Sequence, residues 1–482
     1  MSDTTPRVEP RTLKGFQDLL AEDLLPRQTV IRSIEAVFQR YGFSPLETPA
    51  LEYLDTLVGA GGEETNKALF RLQSPEEEDI ALRFDLTVPF ARLLAQYPER
   101  LKPPVRRYAI GPVWRADKPG PGRFRQFTQF DIDVAGAESV AVDAEVIAVM
   151  CDVMLALGVT DFTVLVNNRK VIDALLDGCG ITEPARQKHV LRVIDKLQKV
   201  GIENIRAELG RGRVDDSGDP IPGVNLDDAT IERVISFIGV NGATRAEVVA
   251  SLEKALPDIE PSREALAEMR DLAEGLAALN VSEAHAKFDP SLARGLDYYT
   301  GPVFETILPN APEFGSVMGG GRYDQLVERF MDRNIPCTGM SVGLDRLLAA
   351  LRHLGAGAAP AKTVVQALVV TMGAVPKGET LKVAAELRAA GIRTETYFGK
   401  KMNMKSQLSH ADHYEIPVAV IIGEDEIAKG VVSIKDLRAG KQAREAIQDH
   451  DAYRKAGTAT QVTVPRAELV QTVTEFLARH SA

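Results

Sequence analysis

Apolar residues recur at helical spacing in RQTVIRSIEAVFQRY (27–41) and the pattern stops at Gly42, which predicts an amphipathic helix closed by glycine. The next stretch, FSPLETPALE, carries two prolines that confine it to turn and strand-edge geometry. From Val105 to Ala135 two strand-like runs flank KPGPG (118–122), so a hairpin with a long, proline-stiffened tip is expected. Residues 165–285 are mostly helical in pattern, with one polar interruption, GRGRVDDSGDPIPG. Strand character returns in GPVFETIL (301–308). A glycine cluster follows at Gly319, Gly320 and Gly321, and GMSVGLDRLLAA (339–350) reads as a strand turning into a helix. Beyond a small-residue linker, the buried-strand runs VVQALVV and PVAVIIG alternate with helical TLKVAAELRAAG and RAELVQTVTEFLAR. That alternation marks a compact α/β domain. No internal repeat is visible.

These patterns divide the chain into a core at 1–164 and 286–353, a helical insertion at 165–285, a linker at 354–361 and a C-terminal α/β domain at 362–482. The length of 482 residues agrees, since it should hold about three domains. With 45% hydrophobic and 26% charged residues, the composition is that of an ordinary soluble protein. The first residues lack a basic-then-apolar leader, and no apolar run approaches the ~20 residues that span a bilayer, so no membrane association is expected. Cys151, Cys179 and Cys337 are scattered and odd in number. Neither a disulfide framework nor a zinc site is suggested, and a reducing cytoplasm fits best. The net charge of −11 argues against a protein that coats nucleic acid non-specifically, but not against an enzyme that gathers positive charge on one face. Two basic groups, Arg100, Lys102, Arg106 and Arg107, and Lys400, Lys401 and Lys405, read by composition as solvated surface.

The most informative segment is RYAIGPVWRADKPGPGRFRQFTQFDIDVAG (107–136). Side chains alternate faces along a strand, which puts Arg123, Arg125, Phe127, Gln129, Asp131 and Asp133 on one side. Phe124, Gln126, Thr128, Phe130, Ile132 and Val134 fall on the other. The first side is poor material for a core and good material for gripping a nucleotide beside an amino acid. Arginine offers a fixed fork of donors for phosphate oxygens, phenylalanine a flat face for a purine, and amide and carboxylate groups can hold an ammonium or an imidazole N–H. A solvent-facing amphipathic hairpin is the plain alternative from this segment alone.

VWRAD…GRFRQFTQFDIDVAG resembles motif 2 of the class II aminoacyl-tRNA synthetases in the form found in histidyl-tRNA synthetases. The resemblance implies that Arg115 holds the α-phosphate of ATP, that Phe127 stacks on adenine, and that Arg123 meets the terminal phosphates. Gln129 and Asp133 would contact bound histidine. Asp117 stands where many class II members carry glutamate, and a shorter acid still accepts the same hydrogen bonds. The tip 118–122 lacks the polar side chains that bacterial members use on the tRNA acceptor end. The run Ala293–Glu305, ARGLDYYTGPVFE, resembles a signature of the histidyl enzymes. It implies Arg294 as the catalytic arginine against the α-phosphate, with Tyr298 and Tyr299 lining the histidine pocket and Tyr299 bonded to the imidazole. MGGGRYDQL (318–326) resembles the glycine-rich floor of that pocket, with Tyr323 as a further imidazole contact. GMSVGLDRLLAAL matches motif 3, where Arg346 would pack on adenine or meet the terminal phosphates. LRFDLTVPFARLLA (82–95) resembles the segment that holds the α-amino group. Asp85 and Thr87 would be its acceptors, pointing the same way from an extended stretch.

The segments LKGFQD and GFSPLETPALE resemble motif 1, which in this family builds a dimer interface, and residues 400–440 resemble a class IIa anticodon-binding domain. The expected fold is therefore α/β: an antiparallel-sheet class II catalytic core with a helical insertion, followed by an α/β anticodon-binding domain. The expected activity is ATP-dependent formation of histidyl-adenylate and transfer to tRNA(His), with Mg²⁺ bridging the outgoing phosphates and no metal-ligating side chains assigned. Two rivals share parts of this pattern. A regulatory paralogue that joins an ATP phosphoribosyltransferase typically lacks the C-terminal domain and the catalytic signature, both present here. A prolyl, threonyl or glycyl synthetase would share motifs 1 to 3 but not RGLDYYTGPVFE with the Gln129/Asp133 pair.

Overall fold

Strand-forming runs between residues 44 and 343 assemble around one large sheet. In chain order they are β1 (Ser44–Pro45), β2 (Leu51–Tyr53), β3 (Arg71–Gln73), β4 (Asp79–Leu82), β5 (Val105–Trp114), β6 (Gln126–Ala135), β7 (Thr163–Asn168), β8 (Gly212–Val214), β9 (Pro220–Pro222), β10 (Ala286–Phe288), β11 (Pro302–Ile307), β12 (Met318–Arg322) and β13 (Cys337–Gly343). The computed structural model describes residues 7–60, 66–120, 122–215, 218–293, 298–357, 361–439 and 460–479. The chain divides into two compact units, one of 1–18 and 30–357, the other of 19–29 and 358–482.

The eight-stranded sheet runs β1-β5-β6-β13-β12-β11-β7-β10. Only its two outermost pairs, β1 with β5 and β7 with β10, are parallel; the six central strands are antiparallel, as expected. Antiparallel strands can offer one face to a core and the other to a site, and β6 does so. Phe130, Ile132 and Val134 are almost fully buried in the same apolar cluster as Val30, Ile34, Val37 and Phe38 of the helix Ala21–Arg40. Phe38 meets Phe130 edge-on at 4.8 Å. Burying a Phe or Ile here stabilises by roughly 1.5–3 kcal/mol each, so this face sets the register. The helix Ala141–Ala156 is buried on nearly every side because it lies between the sheet and the helix Glu260–Ala278. A side chain at Gly275 would stand 2.9 Å from Ala144 Cβ, so glycine lets the two helices approach.

Several local expectations are revised. The N-terminal helix starts at Ala21, upstream of the predicted residue 27, with Pro26 inside it. A proline near a helix start forfeits one i→i−4 bond and leaves the remainder intact. Thr87 is not in an extended stretch; it opens the helix Thr87–Gln96, and Asp85 Oδ1 accepts from the Val88 N–H at 3.0 Å. An aspartate ahead of a helix satisfies one of its unpaired N–H groups, and that local bond wins over extension. β7 continues to Asn168 within the large sheet, inside the segment read as a helical insertion from 165, and 165–285 belongs to the same compact unit as the sheet. Arg107 is no surface residue: its side chain is 2% exposed.

In the second unit, β14 (Ala367–Met372), β15 (Thr394–Thr396), β16 (Val418–Gly423), β17 (Val431–Asp436) and β18 (Gln461–Pro465) form a sheet in the order β15-β14-β16-β17-β18. Val369, Val420 and Ile434 pack with Val383, Leu387, Val473 and Phe476 on one face, while Leu368, Val370 and Ile421 pack with Ala411 on the other. Coverage on both faces explains why β14 and β16 read as continuous apolar runs. Lys400, Lys401 and Lys405 are exposed, as composition suggested.

Candidate active site

On the polar face of the large sheet, a cavity of about 340 Å³ gathers Asp85, Thr87, Arg115, Asp117, Arg123, Phe127, Gln129, Asp133, Tyr298, Tyr299, Tyr323 and Arg346. Every sequence-predicted site residue lines it except Arg294, which lies outside the described residues. The alternation rule accounts for Phe127, Gln129 and Asp133, which share one face of β6. It does not extend to the loop before the strand. Arg125 donates to the Asp117 carbonyl at 3.2 Å and is absent from the cavity, whereas Phe124, assigned to the opposite face, lines it. Strand alternation fails there because β6 begins only at Gln126.

Contacts sort the lining into two groups. In the first, the Arg115 guanidinium lies 5.3 Å from the Phe127 ring centre, and its Nε donates to the Phe84 carbonyl at 3.0 Å. Gly122, at the hairpin tip, sits against Arg346, whose Nη1 donates to the Ser316 carbonyl at 2.7 Å. Asp345 Oδ2 accepts from the Thr128 N–H at 2.6 Å, tying the start of the helix Leu344–His353 to β6. Fixed guanidiniums beside an aromatic face form a surface suited to phosphate and purine.

The second group is tyrosine and carboxylate. The Tyr323 hydroxyl donates to Asp133 Oδ1, and Arg107 Nη2 reaches Asp133 Oδ2 at 2.5 Å. The Tyr298 hydroxyl donates to Asp85 Oδ2 at 3.5 Å, and its ring stands edge-on to Tyr299 at 5.0 Å and to Tyr323 at 5.8 Å. Burial pushes the Tyr298 and Tyr323 phenols well above their ordinary value, so both are neutral donors near pH 7. Burial also raises the Asp85 carboxyl, against the opposing Val88 N–H and the Arg115 charge. It raises Asp133, against the opposing Arg107 charge and Tyr323 hydroxyl. Glycines make room for these side chains. A Cβ on Gly339 would lie 2.2 Å from Asp133 Oδ1, and one on Gly321 would lie 2.9 Å from the Tyr299 ring.

Sequence reading overlooked several contributors. Arg107 anchors Asp133 but was grouped with the surface cations around it, because a single arginine carries no mark of its burial. Arg83, 4% exposed, donates to the carbonyls of Thr48, Pro49 and Pro112 at 2.6, 3.2 and 3.0 Å and so ties the residues before β2 to β5. Ser341 lies within the motif 3 match and accepts from Gln129 Nε2 at 2.9 Å. Asp195 and Glu305 also line the cavity; Asp195 follows the helix Pro184–Ile194, in the segment that showed no site residue by sequence.

Residues 15–347 match the histidyl-tRNA synthetase family, and residues 366–476 match an anticodon binding domain. A histidine–tRNA ligase of Paracoccus denitrificans is 42% identical over 491 residues, covering 98% of each chain. The histidyl-tRNA synthetase structure from Nostoc sp. PCC 7120 superposes with a TM-score of 0.79 at 30% identity, covering 97% of this chain and 100% of that one. A Bacillus halodurans structure described as an ATP phosphoribosyltransferase regulatory subunit/histidyl-tRNA synthetase shares the fold, with a TM-score of 0.70 at 23% identity over 87% of this chain and 99% of that one. Full-length similarity and a cavity furnished with the expected side chains agree: the chain belongs to the histidyl-tRNA synthetase family.

Proposed function

We propose that this chain activates L-histidine with ATP and transfers it to the 3′ end of tRNA(His). The observation that carries the reading is convergence: arginines beside a phenylalanine ring, and buried tyrosines beside buried carboxylates, share one cavity. Arg115 and Arg294 flank the α-phosphate, Phe127 stacks on adenine, and Arg123, Asp117 and Arg346 hold the remainder of the nucleotide. Asp85 and Thr87 receive the α-ammonium, and Gln129, Asp133, Tyr298, Tyr299 and Tyr323 surround the rest of the amino acid. The histidine carboxylate attacks the α-phosphorus, a P–O bond forms to give the adenylate, and pyrophosphate leaves. A terminal ribose hydroxyl of tRNA then attacks the acyl carbon and AMP leaves. Positioning and preorganised charge carry both steps, with no nucleophilic side chain. All seven histidines of the chain lie at or after His189 and outside the motifs.

Selectivity follows from the pocket. A site built to bond a substrate N–H rejects analogues that lack it by roughly 10⁴–10⁵, which removes the need for an editing domain. A bound Mg²⁺ would supply charge neutralisation on the outgoing phosphates. Among the described residues no three carboxylate, histidine or cysteine side chains are grouped to cage a metal. Asp117 and Glu305, which line the cavity, are the carboxylates that would hold such an ion beside the phosphates. A homodimer is proposed on the exposure of Leu51, Tyr53 and Leu72 on the small sheet β2-β4-β3, close to the motif 1 resemblance. The domain plan keeps 165–285 against the catalytic sheet and 362–482 for the anticodon. A cytoplasmic location suits three unpaired cysteines.

The test is amino-acid-dependent ATP–pyrophosphate exchange across a panel, followed by charging of tRNA. Exchange with histidine alone, with charging of tRNA(His), is expected. Histidine binding without exchange would favour a regulatory role, and exchange with proline, threonine or glycine would reassign the substrate.

A further inference from the structure

Three polar side chains follow one another on the cavity side of β6: Gln129, Asp131 and Asp133. Only the outer two line the cavity. Asp131 is 1% exposed; its two carboxylate oxygens lie outside strict hydrogen-bond geometry, and the Ser341 hydroxyl acts on the carboxyl from β13. An acid buried at this cost calls for a role. The charged groups acting on it are Arg107 of β5, Asp133 of the same strand, Asp85, and Arg83 from the segment after β4. Its register partner on β13 is Ser341.

Ser341 Oγ accepts from Gln129 Nε2 at 2.9 Å. A hydroxyl that is accepting still has its own hydrogen to give, and Asp131 stands opposite as the acceptor. Once the Gln129 nitrogen is committed to Ser341, the amide oxygen remains. Gln129 Oε1 is buried and has no donor among the described residues.

We propose that Asp131 and Ser341 are positioning residues that lock the Gln129 amide with its oxygen toward the substrate, so that the site presents an acceptor to the α-ammonium group. This assignment rests on the amino-acid-activating reading above. An amide with its nitrogen and oxygen exchanged has almost the same shape, so without the lock Gln129 could turn an N–H donor against a cation. Burial, opposed by Arg107 and reinforced by Asp133, pushes the Asp131 carboxyl up to about 8. Near neutrality it is largely an uncharged acid whose carbonyl still accepts from Ser341, a role that an asparagine amide can take over.

The experiment compares histidine-dependent ATP–pyrophosphate exchange in wild type, Ser341→Ala, Asp131→Ala and Asp131→Asn. The inhibition constant of 3-(imidazol-4-yl)propionate, which lacks the ammonium group, is measured beside it. Both alanine variants should raise KM for histidine about tenfold, the scale of one hydrogen bond to a charged group, while KM for ATP stays within about twofold. Asp131→Asn should recover most of that loss, and the inhibition constant should be the same in all four proteins. An unchanged histidine KM in the alanine variants overturns the lock. So does an equal weakening of ATP and of the deaminated analogue, which would mean general loosening of the sheet. If wild type shows no histidine-dependent exchange, the functional reading itself fails, and this assignment falls with it.

Discussion

Arg107 and Asp133 stand opposite each other across the β5–β6 ladder, and both are almost wholly removed from water. Deleting one partner strands the other charge in a dry interior, so Arg107→Ala should lower unfolding free energy by about 3–5 kcal/mol in chemical denaturation. The arginines proposed to act on substrate should behave differently. Arg294→Ala or Arg115→Ala should reduce adenylate formation by at least ~10²-fold while leaving the melting temperature nearly unchanged. Near-normal pyrophosphate exchange in either variant removes that residue from the role. Asp131 gives a pH-dependent signature. Its folded-state carboxyl is raised to about 8 by burial, above its ordinary 3.8, so the folded chain holds that proton more tightly than the unfolded chain. The resulting stability is complete below about pH 4 and is lost as pH rises toward about 8. Asp131→Asn removes this dependence. Between about pH 5 and pH 8 its stability relative to wild type should therefore climb, by on the order of 1 kcal/mol or more, in paired denaturation curves.

At the scale of elements, the central strands work because glycines stand where side chains would collide. Gly339 sits in register with Asp133, and a methyl there would meet both the Asp133 carboxylate and the Ile132 carbonyl, at 2.2 and 2.4 Å. Gly339→Ala should cost about 1–3 kcal/mol and impair histidine binding. Gly120→Ala, in the open hairpin tip where nothing lies within 4 Å, should stay within about 0.5 kcal/mol. Thermal melts of the two variants side by side make the comparison. The same elements show which parts of the site were legible in advance. Gln129 and Asp133 could be put on one face because a strand repeats every two residues, and the apolar partners Phe130 and Ile132 hold that phase. Thr87 was misread as extended because nothing in LRFDLT announces a helix start until Asp85 is seen accepting from Val88. Arg125 was misplaced because the repeat was continued into a loop.

Across the whole chain, the small sheet β2-β4-β3 leaves Leu51, Tyr53 and Leu72 45%, 57% and 47% exposed, an apolar surface that a second copy would cover. The double variant Leu51→Asp/Leu72→Asp should shift sedimentation from dimer to monomer while circular dichroism stays unchanged. A monomeric wild-type protein would refute the assembly. Sequence by itself determined the strand and helix types of the long periodic segments, the antiparallel character of the core and the identity of many of the cavity's side chains. Periodicity and short motifs are local properties, written within a few residues of each other. Tertiary structure alone decided that Arg107 is an interior ion-pair partner, that Asp131 lies buried in register with Ser341, and that Asp195 reaches the cavity from a distant helical segment. Burial and charge pairing depend on what the chain brings together across long separations, and a residue's neighbours in sequence carry no record of that.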